Sequence, residues 1–172
     1  MPPFAFLFLL HQNNKTMKKR INFNAVQPSA YDAMDSLDQF VNESSIDKLH
    51  KELIKIHASQ INGCAYCVDM HSHDALKLGE SLQKVLLVSA WREAGNHFSE
   101  EERILLQMTE EITLIHRHGL SDETYANAIE LFGDEKVAQI IMAIITINAW
   151  NRIGVATKLQ PPARKRQPAT NN

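Results

Sequence analysis

The chain has 172 residues and a mass of 19.5 kDa, and 44% of its residues are hydrophobic, enough for one domain with a core that needs no disulfide to fold. Eighteen basic against twenty acidic residues give a formal net charge of −2. No overall field therefore favours nucleic acid or an anionic membrane, and small molecules are the expected partners.

At the N-terminus, Phe4 to Leu10 is an apolar run with no basic residue before it and no small-residue cleavage site soon after. It makes a poor secretory signal and is too short to cross a bilayer. Met17-Lys18-Lys19-Arg20 reads as an ordinary start, so residues 1–20 are expected to be an extension outside the domain.

Helical periodicity follows. Tyr31, Met34, Leu37, Phe40 and Val41 recur at helical spacing from Ser29 to Val41, and Ile46, Leu49, Leu53, Ile56 and Ile61 do so from Ser45 to Ile61. Each segment opens on a serine able to cap. Asn62-Gly63 interrupts the pattern, and Asn62 is expected to cap a helix carrying Cys64 to Leu78, with Gly79 at its end. A fourth helix is predicted from Ser81 to Glu93. A fifth runs from Ser99 to His118, where Ser99 and Glu102 form a capping box and Gly119 follows.

Ser121 and Asp134 open two more helices. The last extends to about Lys158 and contains Val137 to Ile145, apolar on nearly every face, which predicts burial all round in a subunit interface or as a central helix. Gln139, Thr146, Asn148, Asn151 and Arg152 break its apolarity, so a membrane span is not expected. Pro161 to Asn172 is polar and carries Arg164-Lys165-Arg166, the composition of a disordered tail. No strand pattern appears. The predicted fold is all-α, a single domain of about six to seven helices over residues 21–160.

The only two cysteines stand in Gly63-Cys64-Ala65-Tyr66-Cys67, and His71 follows one helical turn later. Stepping about 100° per residue from Cys64 places Cys67 near 300° and His71 near 340°, on one stripe with Ala75 and Leu78. His73 and Tyr66 fall near 180° and 200° and are expected to point away from the thiols. A thiol near a helix N-terminus, with an imidazole one turn on, has the features that lower its pKa, and a second thiol three residues away can capture its oxidised form as a disulfide.

Three readings remain on these residues alone: a redox pair, part of a metal site, or two inert buried cysteines. A structural zinc needs a fourth ligand, and neither a second CxxC nor a His-x3-His pair exists. Covalent haem would need histidine where Val68 stands, and the βαβ context of thioredoxin is missing. His11, His50, His57, His97, His116 and His118 read as surface or satisfied histidines. Trp91 and Trp150 read as core or interface anchors, and Arg152 as the partner of an acidic group.

Leu49-x-x-Glu52-Leu53-Ile54 followed by Ser59-Gln60-Ile61-Asn62-Gly63-Cys64-Ala65-Tyr66-Cys67-Val68-Asp69-Met70-His71 resembles the signature of the alkylhydroperoxidase D-like proteins of the carboxymuconolactone decarboxylase superfamily. Trp91-Arg92-Glu93, Phe98 to Arg103 and Asn148-Ala149-Trp150-Asn151-Arg152 resemble later landmarks of the group, so the likeness covers residues 20–157. It implies an all-helical domain assembling as a homotrimer or homohexamer, with Cys67 as peroxidatic thiol, Cys64 as resolving thiol, and Glu52 with His71 as proton relay. The periodicity itself puts Glu52 at the border of an apolar face. Tyr66 departs from the founding member, which has histidine between its cysteines.

The implied activity is a thiol peroxidase acting on hydrogen or organic peroxides. It would need no bound cofactor or metal, only an external dithiol or lipoyl-type reductant, and would involve neither nucleic acid nor membrane. A non-catalytic redox sensor and a decarboxylase-type lyase are the alternatives; the lyase would have no need of the cysteine pair. The cytoplasm is the expected compartment, because a vicinal thiol pair of this kind works only where it is reduced.

Overall fold

The computed structural model describes residues 20–164; residues 1–19 of the expected extension and 165–172 of the expected tail lie outside them. Helices α1 (Phe23–Val26), α2 (Pro28–Glu43), α3 (Lys48–Asn62), α4 (Ala65–Lys77) and α5 (Leu82–Leu87) lead into 3-10 turns at Val88–Glu93 and Gly95–His97. Then come α6 (Glu100–Thr113), a 3-10 turn at Ile115–Arg117, and α7 (Asp122–Thr157). The described residues contain no strand, and the all-α expectation stands.

The caps differ from the expected ones in several places. Pro28, whose ring presets a helical φ, opens α2 ahead of Ser29. Asp47, not Ser45, caps α3 by accepting from the Leu49 and His50 amides. Ser45 instead donates through its amide and hydroxyl to Gln139 Oε1, at 3.0 and 2.8 Å, tying this turn to α7. The buried Lys51 ammonium donates to the Asn42 and Ser44 carbonyls at 2.9 and 3.1 Å, satisfying acceptors that the end of α2 leaves open.

Asn62 does not cap α4. It is the last residue of α3, and Gly63 follows in the left-handed region at φ 68°, which a residue with a Cβ enters only with strain. The Cys64 amide then bonds back to the Ser59 carbonyl at 3.0 Å, leaving Cys64 itself at the N-cap of α4. The region expected as one helix from Ser81 is α5 capped by Ser81 and then a 3-10 turn. The Ser99–Glu102 capping box is present as expected, but α6 stops at Thr113, and His118 is left-handed at φ 89°. Ser121 caps α7, and the second opening expected at Asp134 corresponds to a break at Gly133, with φ 73° and ψ 165°.

Helix α3 is central, packed by α4, α6 and α7, and Leu53, Ile54, Ile56, Leu105, Leu106, Met108, Ile140 and Ile144 are fully buried. The expectation that α7 is buried all round is met within one chain on one face only: Ile140, Ala143, Ile144 and Ile147 are buried, whereas Ile145 is 44% exposed. Among the described residues α7 alone is long and apolar enough to cross a membrane by length and composition, a test that the central helix of a packed helical domain also passes. Its buried Asn148 and Asn151 are bonded into the core, and it packs against α2, α3 and α6 as a central helix of this domain. Of the expected tail, Arg164 lies against α4 and makes a forked pair with Asp69 at 2.6–3.2 Å.

Candidate functional site

The site begins where α3 ends. Asn62 donates from one amide nitrogen to Asn148 Oδ1 at 3.0 Å and Asn151 Oδ1 at 2.9 Å. Asn151 donates in turn to Ser59 Oγ at 2.9 Å, and Asn148 to Thr113 Oγ1 at 2.9 Å. The buried Asn148 and Asn151 amides both donate and accept, so the network locks the turn before Cys64 against α7. Gly154 completes the seat: a Cβ there would lie 3.0 Å from Cys64 Sγ and 3.8 Å from Cys67 Sγ.

Cys64 and Cys67 are joined as a disulfide, with Cα atoms 5.4 Å apart, within the usual range for such a bond. Both are buried, at 2% and 4% exposure. His71 shares their side of α4, and its Nδ1 lies 2.8 Å from Glu52 Oε2. His73 turns away to the Asp69 carbonyl at 2.7 Å, the separation the helical wheel predicts.

Glu52 is buried, at 7% exposure, so its place at the border of an apolar face did not leave it in solvent. The Lys55 ammonium donates to its other oxygen at 3.1 Å. Burial pushes the Glu52 carboxyl up, but the His71 hydrogen bond and the Lys55 charge outweigh it and hold the group below the usual carboxylate range. A carboxylate only accepts hydrogen bonds, so Nδ1 of His71 carries a proton, and a neutral His71 ring has its lone pair on Nε2.

A cavity of about 940 Å³ opens over these groups. Cys67, His71 and Lys55 line it; Cys64 does not. Phe23 and Leu159, from the two ends of the described chain, also reach it. Tyr66, expected to point away, stands on the same wall, because the cavity wraps around more than the thiol-bearing stripe of α4. Trp150, expected as a core or interface anchor, lines it as well and donates to Asp38 Oδ2 at 3.1 Å, while Tyr31 meets its ring edge-on at 5.0 Å. Burial raises the Asp38 carboxyl against the opposing charges of Lys55 and His71. Sequence reasoning missed Asp38 and Lys55. Lys55 had a signal, its place one turn after Glu52, whereas Asp38 stands 112 positions from Trp150.

The remaining singled-out residues lie elsewhere. Trp91 is a buried core anchor, with the Arg92 guanidinium 4.2 Å over its ring. Arg152 donates to the Asn148 carbonyl and Oδ1 and has no acidic partner among the described residues. His57 is neither exposed nor satisfied. It is 5% exposed, and its Nε2 stands 3.7 Å from Glu110 Oε2, too far for a hydrogen bond. His50 is half-buried, His97, His116 and His118 are exposed, and His11 is outside the described residues. Ligand atoms of Glu52, His71 and Asp74 lie within 4.8 Å of one another. The ammonium groups of Lys55 and Lys77 already neutralise the two carboxylates, at 3.1 and 2.7 Å, which disfavours a divalent cation there.

Comparison with known proteins adds a family frame. Residues 28–111 match the model of the carboxymuconolactone decarboxylase family. YdfG of Bacillus subtilis, an uncharacterised protein, is 38% identical over 140 residues, covering 81% of this chain and 95% of YdfG. A crystal structure from Agrobacterium tumefaciens, of unknown function and described as an AhpD-type antioxidant defence protein, superposes with a TM-score of 0.82 at 39% identity, over 86% of this chain and all of that one. The debrominase Bmp8 shares the fold at a TM-score of 0.72 and 22% identity, over 81% of this chain and 74% of Bmp8.

Proposed function

Because the chain belongs to the carboxymuconolactone decarboxylase family, as an alkylhydroperoxidase D-like member, we propose that it is a thiol-dependent peroxidase cycling through Cys64 and Cys67. The observation that carries the reading is the placement of Cys67 on the cavity wall together with His71, whose ring is oriented by Glu52 at 2.8 Å. That is the arrangement of a nucleophile with a base and an orienting carboxylate.

In the reduced protein, Nε2 of His71 takes the Cys67 proton and Glu52 stabilises the resulting imidazolium. The thiolate attacks the terminal oxygen of a hydroperoxide. The O–O bond breaks, Cys67 is oxidised to a sulfenic acid, and the departing alkoxide takes a proton from His71 to leave as an alcohol. The Cys64 thiol then displaces the sulfenic hydroxyl as water, forming the disulfide. An external dithiol reduces the pair by exchange and becomes a disulfide itself. Cys64, closed off from the cavity against Gly154, suits the resolving role, and Cys67 the attacking one.

A supply of reduced dithiol, of lipoyl or similar type, places the cycle in the cytoplasm in this reading. Assembly into homotrimers or homohexamers would cover apolar side chains such as Leu82, Leu86 and Ile145, which are 59%, 67% and 44% exposed in the single chain. The test is dithiol-coupled peroxide consumption at steady state. Turnover that disappears in Cys67→Ser supports the proposal, and turnover that survives it contradicts it. Disulfide formation with no dithiol able to sustain turnover would favour a redox sensor.

A further inference from the structure

Glu52 offers its two oxygens to two different partners: Oε2 to His71 Nδ1 at 2.8 Å and Oε1 to the Lys55 ammonium at 3.1 Å. Lys55 is not a surface lysine that happens to reach a glutamate. Its side chain is 12% exposed, it lines the cavity over Cys67, and removing an ammonium from water to this extent is unfavourable unless a carboxylate compensates. Other charged groups surround it. Asp38 of α2 faces it across the cavity, Lys51 precedes it by one turn on α3, and from α4 come His71 and Asp74, the latter paired with Lys77 at 2.7 Å.

A carboxylate bonded through one oxygen can rotate about its last side-chain torsion, which is broad and roughly two-fold. Held at both oxygens, Glu52 keeps one orientation. We propose that Lys55 is a positioning residue: by clamping Glu52 Oε1 it keeps Oε2 on His71 Nδ1, and with it the Nε2 lone pair available on the cavity side that Cys67 occupies. Its charge has a second effect. A fixed cation beside the carboxylate lowers the proton affinity of every group in its field, so the Glu52–His71–Cys67 system gives up its proton at lower pH than it would without Lys55.

This assignment rests on the thiol-peroxidase reading, and a measurement that involves no peroxide separates the two. In a Cys64→Ser background, the rate at which iodoacetamide alkylates Cys67 is followed against pH for the otherwise unchanged chain and for Lys55→Met, Lys55→Arg and Glu52→Gln. Lys55→Met keeps the apolar stem and loses the charge; its alkylation midpoint should move up by about half to one pH unit. Lys55→Arg, which keeps the cation, should return most of the shift. A lysine that served only packing would change the melting temperature and leave the midpoint where it was. Superimposable midpoints for the parent and Lys55→Met, or an equal shift in Lys55→Arg and Lys55→Met, would overturn the role of Lys55 alone. A Cys67 that titrates like a free thiol, near about 8.5, in every variant would contradict both this role and the peroxidase reading.

Discussion

Gly154 and Cys64 meet so closely that a single added carbon on Gly154 would stand 3.0 Å from the Cys64 sulfur. Helix α7 thus forms the floor beneath the disulfide, and the absence of a side chain is what lets α4 approach. Replacement of Gly154 by Ala should cost about 1–3 kcal/mol through overpacking against the sulfur, offset by about 1 kcal/mol of helix propensity gained within α7, and should slow closure of the Cys64–Cys67 bond. Thermal denaturation of the oxidised protein and the rate of disulfide formation read the two effects. A variant equal to its parent in both would mean that α7 yields at no cost.

The amide network predicts a second loss. Asn151 is fully buried and bonds both Ser59 and Asn62, so Asn151→Leu leaves the buried Ser59 hydroxyl without that donor and takes from Asn62 one of its two acceptors, Asn148 remaining as the other. Urea denaturation should show a destabilisation of about 1–3 kcal/mol, set mainly by leaving the buried Ser59 hydroxyl unpaired. A change below the error of the fit would show that the turn before Cys64 does not depend on this network.

His71 and Glu52 separate by chemistry. His71→Ala should lower kcat/KM for peroxide by about 10²–10⁴-fold, the span of a lost general base. Because the Glu52 carboxyl titrates below its ordinary range in the fold, its contribution to stability is present above the unfolded value of about 4.3 and fades as pH falls through the lower, folded value. Acid titration of stability should therefore be steeper in the parent than in Glu52→Gln over that range. Parallel curves would contradict the burial of an ionised Glu52.

His57 provides a pH response outside the site. Burial lowers its pKa, outweighing the opposing pull of Glu110. The folded protein consequently prefers the neutral ring, and the unfolded chain binds the proton more readily. Stability from this group is complete above about 6.5 and declines as pH drops from there toward the folded value. The melting temperature of the parent should fall as pH drops below about 6.5, and that of His57→Phe should fall less.

The periodicity of the sequence revealed the helical fold and grouped Cys64, Cys67 and His71, because those three residues lie within two turns and local geometry relates them. Glu52 was recognisable through the motif, but periodicity placed it only at a border; its burial follows from α4 and Lys55 closing over it. Tyr66 defeated the wheel. Cys64 is a cap, not a helical residue, and the cavity spans several faces at once. Asp38 and Trp150 come together only because α2 packs on α7, a relation between distant segments that no local pattern encodes. Asn62 misled for a related reason: it looked like a cap, but its amide is used by two asparagines of α7.

The most direct test of the proposed cycle is to treat reduced Cys64→Ser and Cys67→Ser proteins with a stoichiometric organic hydroperoxide in the presence of dimedone, and to locate the adduct by mass spectrometry. The proposed cycle predicts rapid labelling of Cys67 in Cys64→Ser and little labelling of Cys64 in Cys67→Ser. Equal labelling of both, or labelling of Cys64 alone, would contradict it.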